Sequence, residues 1–437
     1  MGIARIGAIA QLKMDGENVA SMMSRLSSLS RKTLFLQWID RRIGVPVCFF
    51  LTVGRKISGL LASAEPAAPV RKILLLKLAE QGSTVLARAA IAEAVAKVGR
   101  ENVYFLAFDE NRFIVDLLDI IPRENVLTVK TGSIPSMIAS GLAQVRAIRR
   151  MRIDATVDLE FFSRFSAAIS FICASRIRVG FHTYFGEGPY RGDLMTHRVL
   201  YNPQQHASTT FLSLVTAIEA DPRKLPSFNV RLPVITTLPE FAPAESEVAQ
   251  AKALIASLSP IPHPRVILLN ANASDLIPLR KWEASNYVLL AQKLIAAFPD
   301  VVVGFTGAPD EQGPISDLVS EVGSARCLGL AGRTDLRQLL VVCGLSEVLV
   351  TNDSGPAHFA ALTPIDVVTL FGPESPLLFA AIGPRQHPLW AGIACSPCVN
   401  AFNNRQTACQ DNQCMKRITV DQVFDEVRQI YLDRAAG

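Results

Sequence analysis

The densest chemical signal in the chain is Val348-Leu-Val-Thr-Asn-Asp-Ser-Gly-Pro-Ala-His358, an apolar run that passes straight into Asp-Ser-Gly-Pro and then into small residues. Asp353 or Ser354 can cap a helix starting there, Gly355 lets a ligand approach the backbone, and Pro356 suits a first helical turn. Such a turn leaves N–H groups unpaired at the positive end of a helix, which is how proteins hold phosphates; His358 follows it directly. An ordinary capped helix gives the same local pattern, so the company it keeps decides. Three other apolar runs end alike: Asn270-Ala-Asn-Ala-Ser-Asp275 with Arg280-Lys281-Trp282 beyond it, Gly304-Phe-Thr-Gly-Ala-Pro-Asp-Glu311, and Leu370-Phe-Gly-Pro-Glu-Ser375. Together they mark the carboxyl ends of strands in one domain, where a nucleotide diphosphate would sit.

Earlier in the chain, Ile73–Leu78 runs into Lys77-Leu-Ala-Glu80-Gln-Gly82-Ser83-Thr84. Glu80 is a carboxylate that could deprotonate a hydroxyl, and a solvated loop glutamate reads equally well. Arg164, in Phe161-Phe-Ser-Arg164 just past another strand end, could meet an anionic acceptor, or simply face water; His182 and Arg191 carry the same pair of readings. Cys395-x2-Cys398-x10-Cys409-x4-Cys414 could bind a tetrahedral zinc, although its second half is looser than a zinc ribbon; reduced loop cysteines or a redox-labile pair are the alternatives. No other metal and no cofactor is expected. Cys48, Cys173, Cys327 and Cys343 sit singly in apolar runs, as reduced core cysteines do.

The elements that must position these residues follow from hydrophobic periodicity. From Lys72, aliphatic runs at Ile73–Leu78, Val103–Phe108, Val126–Val129, Ala155–Leu159 and Ile177–Phe181 alternate with helix-length stretches such as Val85–Val98 and Ile134–Arg150. A proline-rich lapse over 223–264, with one helix near 244–258, reads as a linker. The alternation restarts with strands at Val266–Leu269, Val301–Phe305, Val348–Val350 and Val367–Leu370, with helices near 283–298, 310–322, 335–343 and 355–362, and closes with an amphipathic helix near 419–434. The pattern predicts an α/β protein of two Rossmann-like lobes facing across a cleft, 71–222 and 265–437, behind an extension over 1–70.

With 437 residues, 49% hydrophobic and 19% charged, the chain can bury proper cores and is not a disordered sequence. No apolar stretch approaches the ~18 residues of a membrane span. The net charge of +5 is concentrated at 31–56, and nothing beyond is basic enough for a nucleic-acid surface. In that segment Leu34, Phe35, Trp38, Ile39 and Ile43 share a helical face flanked by bases, which suits a helix lying on an anionic bilayer or packed on the protein itself. No secretory h-region is legible, so a reducing cytoplasm is expected, peripheral to the inner membrane if the helix lies on it. Motifs for nicotinamide enzymes, P-loop NTPases, zincins and common serine hydrolases are absent.

The strand followed by Asp-Ser-Gly-Pro-x-His, the Phe-Gly-Pro-x-x-Pro after it, the Lys281-Trp282 pair and Cys-x-x-Cys…Cys-Met415 together resemble glycosyltransferase family 9, the ADP-heptose:lipopolysaccharide heptosyltransferases of GT-B fold, over about 72–434. The resemblance implies a metal-independent, inverting transfer of a sugar from a nucleotide donor, most simply heptose from ADP-heptose, to a lipid-linked saccharide such as lipopolysaccharide core. It implies that Asp353, Ser354, Gly355 and His358, with Asn270, hold the donor's diphosphate and sugar, that Lys281 neutralises the departing diphosphate, and that Glu311 lies near the nucleoside. Gly82 and Ser83 would line the acceptor side. The family carries Gly-Asp after the first strand, with that Asp as base; here Ser83 takes its place, and Glu80 is the nearest carboxylate. Another nucleotide sugar as donor, or an inactive sugar-nucleotide-binding protein, are the alternatives at this stage.

Overall fold

The computed structural model describes residues 38–61, 68–273 and 277–436. The first lobe holds β1 (Ile73–Leu76), β2 (Val103–Phe108), β3 (Val126–Val129), β4 (Ala155–Asp158), β5 (Ile177–His182) and β6 (His197–Leu200), in the order β3-β2-β1-β4-β5-β6 with every neighbour parallel. The second repeats this plan with β7 (Arg265–Asn270), β8 (Val301–Phe305), β9 (Cys327–Gly329), β10 (Val348–Asn352), β11 (Asp366–Phe371) and β12 (Gln386–Trp390), in the order β12-β11-β10-β7-β8-β9. Central strands such as Ile73-Leu-Leu-Leu76 are buried on both faces because helices cover both sides of each sheet. That is why they read as unbroken aliphatic runs.

Three edge strands, β6, β9 and β12, were not predicted. Each is short or carries polar residues, as in Gln386-His-Pro-Leu-Trp390, because an edge strand is covered less completely. The expected helix Val85–Val98 is two helices, Gln81–Leu86 and Arg88–Val98. In the proline-rich segment the helix Glu245–Leu258 lays Ala251 and Ile255 against the second sheet, and the last helix, Val420–Ala436, covers the opposite face with Val423, Val427, Ile430 and Tyr431.

The lobes touch through side chains from both. Leu378, Phe379, Ile382 and Ala401 join the first lobe's core, and Val85 and Ile114 meet Leu340, Phe359 and Leu362.

At the N-terminal end the helix Gly44–Leu61 packs fully buried Cys48 on the first lobe, and its Thr52 hydroxyl accepts from the Asp193 N–H at 2.9 Å. Its other face leaves Val47, Phe50, Val53 and Ile57 exposed, with Trp38 and Ile43 just before it. This helix is thus packed on one side and exposed on the other, and it follows the stripe of Trp38, Ile39 and Ile43 rather than carrying it. Leu34 and Phe35 lie outside the described residues. Among the described residues no helix is long and apolar enough to cross a membrane.

Candidate functional site

In each sheet the strand order reverses once, between β1 and β4 and between β7 and β10. Loops leaving neighbouring strands at such a point diverge and open a crevice at the carboxyl edge. The loops that follow these four strands carry Glu80, Glu160, Lys281 and Asp353, so the topology alone brings most of the chemistry together.

In the second lobe, Thr351 stands beside Asn270 in the register of β10 on β7. Asn352 accepts from the Trp282 N–H at 3.0 Å and donates to the carbonyls of Ala271 and Asn272, which ties the Arg280-Lys281-Trp282 turn to the end of β10. Lys281 is half-buried there, and its carbonyl accepts from Asn412 at 3.1 Å. Asn270 donates to the Thr306 hydroxyl at 3.0 Å. Glu311 accepts from the Ala308 N–H at 2.7 Å, capping the turn beyond β8. Ser354 precedes the short helix Gly355–Ala360 and makes no side-chain cap bond; its hydroxyl donates to the Asn352 carbonyl instead.

The arrangement sequence reasoning did not anticipate is a chain of ions. Arg280 donates to Glu374 at 2.6 Å and lies 3.5 Å from Asp353; Arg405 lies 3.4 Å from Glu374 and also pairs with Glu80 of the first lobe. Burial raises the Asp353 and Glu374 carboxyls above their ordinary values, against the pull of Arg280 and Arg405. Burial would raise Glu80 too, yet the Arg405 and Lys77 charges and the Ser83 hydroxyl overcome it and hold that carboxyl well below the usual range. Ser83 donates to Glu80 at 2.7 Å, and buried Lys77 bridges Glu80 and Glu160 at 3.6 and 3.0 Å. Glu80 adopts a left-handed backbone (φ 69°), an expense for a residue with a β-carbon and one that clusters at functional sites.

Gly82 faces His358 across the lobe junction, where a β-carbon would come within 2.5 Å of the imidazole. Burial, with the His206 and Arg280 charges, lowers His358 to about 4, so the ring is neutral near pH 7. A cleft of about 670 Å³ opens between Ile277–Leu279 and Asn403, Arg405, Gln406, Thr407 and Ala408.

Glu80, Gly82, Ser83, Asp353 and His358 thus converge, with Lys281 next to Arg280. Arg164 is not aimed into this cleft: it is buried, and Asp40 of the N-terminal segment holds it through Nη1 at 3.2 Å and its backbone N–H at 2.9 Å. An acceptor would have to compete with that pair. Arg191 is likewise buried, against Asp158. Cys414 is buried beneath Gly372, Cys395 and Cys409 are exposed, and no group of three metal-ligating side chains is arranged for an ion among the described residues. Their segment instead anchors to the strand-end turn, with the Cys398 N–H donating to Pro373. Glu374 had a signal in its Phe-Gly-Pro-Glu strand end; Arg405 had none.

Two Rossmann-like lobes with charged turns converging at both crossover points define a GT-B protein. A structure of E. coli ADP-heptose lps heptosyltransferase II superposes with a TM-score of 0.62 over 83% of this chain and 99% of that one, at 18% identity; a family 9 glycosyl transferase from Veillonella parvula gives 0.60 over 84% and 98%, at 14%. The chain belongs to glycosyltransferase family 9 (heptosyltransferase), whose family model matches residues 142–408. Among curated relatives it is 30% identical over 148 residues to lipopolysaccharide heptosyltransferase 2 of Salmonella typhimurium, covering 33% of this chain and 41% of the relative. It is 35% identical over 100 residues to the Escherichia coli protein of the same name, covering 23% and 29%. The matched stretches span less than half the length of these two relatives.

Proposed function

We propose that this chain is a metal-independent, inverting heptosyltransferase that moves heptose from ADP-heptose to a lipid-linked saccharide of lipopolysaccharide-core type, at the cytoplasmic face of a membrane. The observation that carries the reading is the convergence of Lys281, Asp353 and the Ser354-Gly355 turn at the switch point of the second lobe, opposite Glu80 of the first. The solved ADP complex of the relative WaaC, 17% identical with a TM-score of 0.55, shares the fold, and the donor identity comes from the family.

In this reading the donor's diphosphate lies on the second lobe against Lys281 and the Ser354-Gly355 turn, with Asn270 and Glu311 nearer the nucleoside side. The acceptor hydroxyl oxygen attacks the anomeric carbon from the first-lobe side as the bond to diphosphate breaks. Its proton passes to Glu80, and configuration inverts. Of the carboxylates at the junction, Glu80 has 38% of its side chain exposed, whereas Glu160, Asp353 and Glu374 have 12, 7 and 1%. Reach therefore favours Glu80 as base. Charge developing on the leaving group would be met by Lys281 in a water-poor cleft, where one such partner is worth ~10²–10³ in rate. The bare apolar face at 43–57, flanked by Arg42 and Lys56, would rest on anionic lipid and keep the cleft near its lipid-linked acceptor.

A thermal-shift screen with ADP-, UDP- and GDP-sugars, followed by a transfer assay in EDTA, tests this. Stabilisation by ADP-heptose, transfer that survives EDTA, its collapse in Lys281→Ala and loss of donor binding in Asp353→Ala are expected. Selective stabilisation by a UDP- or GDP-sugar would refute the donor assignment, and donor binding without transfer to any lipid-core acceptor would favour an inactive binder.

A further inference from the structure

The segment between Cys398 and Cys409 is where the second lobe reaches across to the first. Phe402 stands with its ring 5.1 Å from that of Tyr201 and 5.7 Å from that of Phe162, both first-lobe residues. Three residues on, Arg405 has its guanidinium 5.3 Å over the Phe379 ring. Its Nη1 pairs with Glu80 and its Nε lies 3.4 Å from Glu374. Arg405 also lines the 670 Å³ cleft, together with Ile277, Pro278 and Leu279, the residues that lead into Arg280 and Lys281. It therefore stands between the cleft and the carboxylates.

We propose that Arg405 is a diphosphate-binding residue of the donor site, and that Glu80 is its resting counter-ion, given up when the diphosphate arrives. The inference rests on the nucleotide-sugar reading above and deepens it. A guanidinium presents five N–H donors in a planar fork that matches phosphate oxygens, so it can turn from a carboxylate to a phosphate without losing hydrogen bonds. The charges favour such an exchange. Glu80, Glu374 and Asp353 face only Arg280 and Arg405 within this ion chain, while Lys77 serves Glu160 as well as Glu80. A dianionic group that binds Arg405 takes up donors now held by Glu80 or Glu374. Glu374 and Asp353 are almost fully buried on the same lobe as Arg280, whereas Glu80 is the exposed partner and comes from the other lobe. Glu80 is thus the one that can let go. Its strongest cation would leave it as the donor seats, so the carboxylate becomes a better proton acceptor only when there is a sugar to transfer.

The test is calorimetric titration of the full chain with ADP, with inorganic pyrophosphate and with adenosine. Arg405→Gln should weaken ADP and pyrophosphate by about 10- to 100-fold, the range for a charge-assisted hydrogen bond, and leave adenosine unchanged. Glu80→Gln should do the opposite, tightening ADP by about 2- to 5-fold, since it removes a part-exposed competitor. The double variant should bind like Arg405→Gln. Arg405→Lys keeps a charge against Glu80 and Glu374, so it tests the same point in a background that preserves the buried pairing; a several-fold weakening is expected as the fork is lost. Unchanged ADP affinity in both Arg405 variants, or weaker binding in Glu80→Gln, would overturn the inference alone. Failure of the parent to bind ADP, UDP or GDP would overturn it together with the donor reading.

Discussion

Replacing Gly82 by alanine probes the lobe junction with a single methyl group. Its β-carbon would fall 2.5 Å from His358 Cδ2 and 3.3 Å from both Cγ and Nε2. Carbon atoms rest about 3.5–4.0 Å apart, so the structure must yield roughly 1 Å. The neighbour is no flexible chain end, because His358 is 7% exposed and fixed in the helix Gly355–Ala360. Either the imidazole is forced off its rotamer or the helix Gln81–Leu86 lifts away, parting the lobes beside Asp353. Overpacking of this kind costs about 1–3 kcal/mol. Single-variant stability alone would not identify the cause, so the assay is a cycle: urea unfolding of Gly82→Ala, His358→Ala and the double variant. With the ring gone the methyl group fits, and the double variant should be more stable than the sum of the singles by about 1–3 kcal/mol. ADP affinity should fall in Gly82→Ala. Additivity within about 0.5 kcal/mol, or a Gly82→Ala protein with parental stability and ADP binding, would refute the argument that these helices are in contact.

Three further outcomes are expected. Asp40→Ala strands the buried Arg164 cation and takes away the acceptor of the Arg164 and Phe165 N–H groups; leaving such a charge unpaired costs about 3–5 kcal/mol, read as faster proteolysis within 38–61, and an unchanged digestion pattern would contradict it. Phe50→Glu with Ile57→Glu, two residues 70% and 56% exposed, should cut binding to anionic vesicles at least about tenfold with stability unaltered, and equal vesicle binding would count against the membrane reading. His358 ionises near 4 in the folded chain against 6.5 ordinarily; the stability from keeping it neutral is complete above pH 6.5 and is lost as pH falls through 4, up to about 3 kcal/mol, so His358→Asn should flatten urea midpoints between pH 7 and 4 relative to the parent.

The central strands were legible because burial on two faces writes an aliphatic run into the sequence: Val103–Phe108 and Val301–Phe305 appear with the bounds read from pattern, as does the well-covered edge strand Val126–Val129. The other three edge strands were not, because they are covered less completely and can carry polar residues, and Pro388 inside β12 argues locally against a strand. The second-lobe half of the candidate site was legible for a related reason. Asp353, Ser354 and Gly355 follow β10 directly, so strand, turn and helix are consecutive in the chain. The join between Glu80 and Arg405 spans 325 positions and rests on no local pattern at all. The same holds for Asp40, whose carboxylate serves Arg164 and Phe165 from 124 and 125 positions away.

The absence of aspartate at position 83 becomes intelligible in this geometry. Ser83 cannot serve as the base of the proposed reaction, since a hydroxyl is too weakly basic. The chain bends through a left-handed residue at Glu80, immediately before the helix, and the Glu80 carboxylate folds back to accept from the Ser83 hydroxyl at 2.7 Å. The glutamate's longer side chain thereby delivers its carboxylate to the Ser83 side chain. Such a placement exposes the group to Lys77 and Arg405, which a carboxylate rooted one turn later need not meet. At Glu80 the carboxylate is thus coupled to the second lobe through Arg405. Restoring an aspartate at position 83 while removing Glu80 should therefore preserve a carboxylate but weaken its tie to Arg405, and with it the dependence of ADP affinity on that arginine.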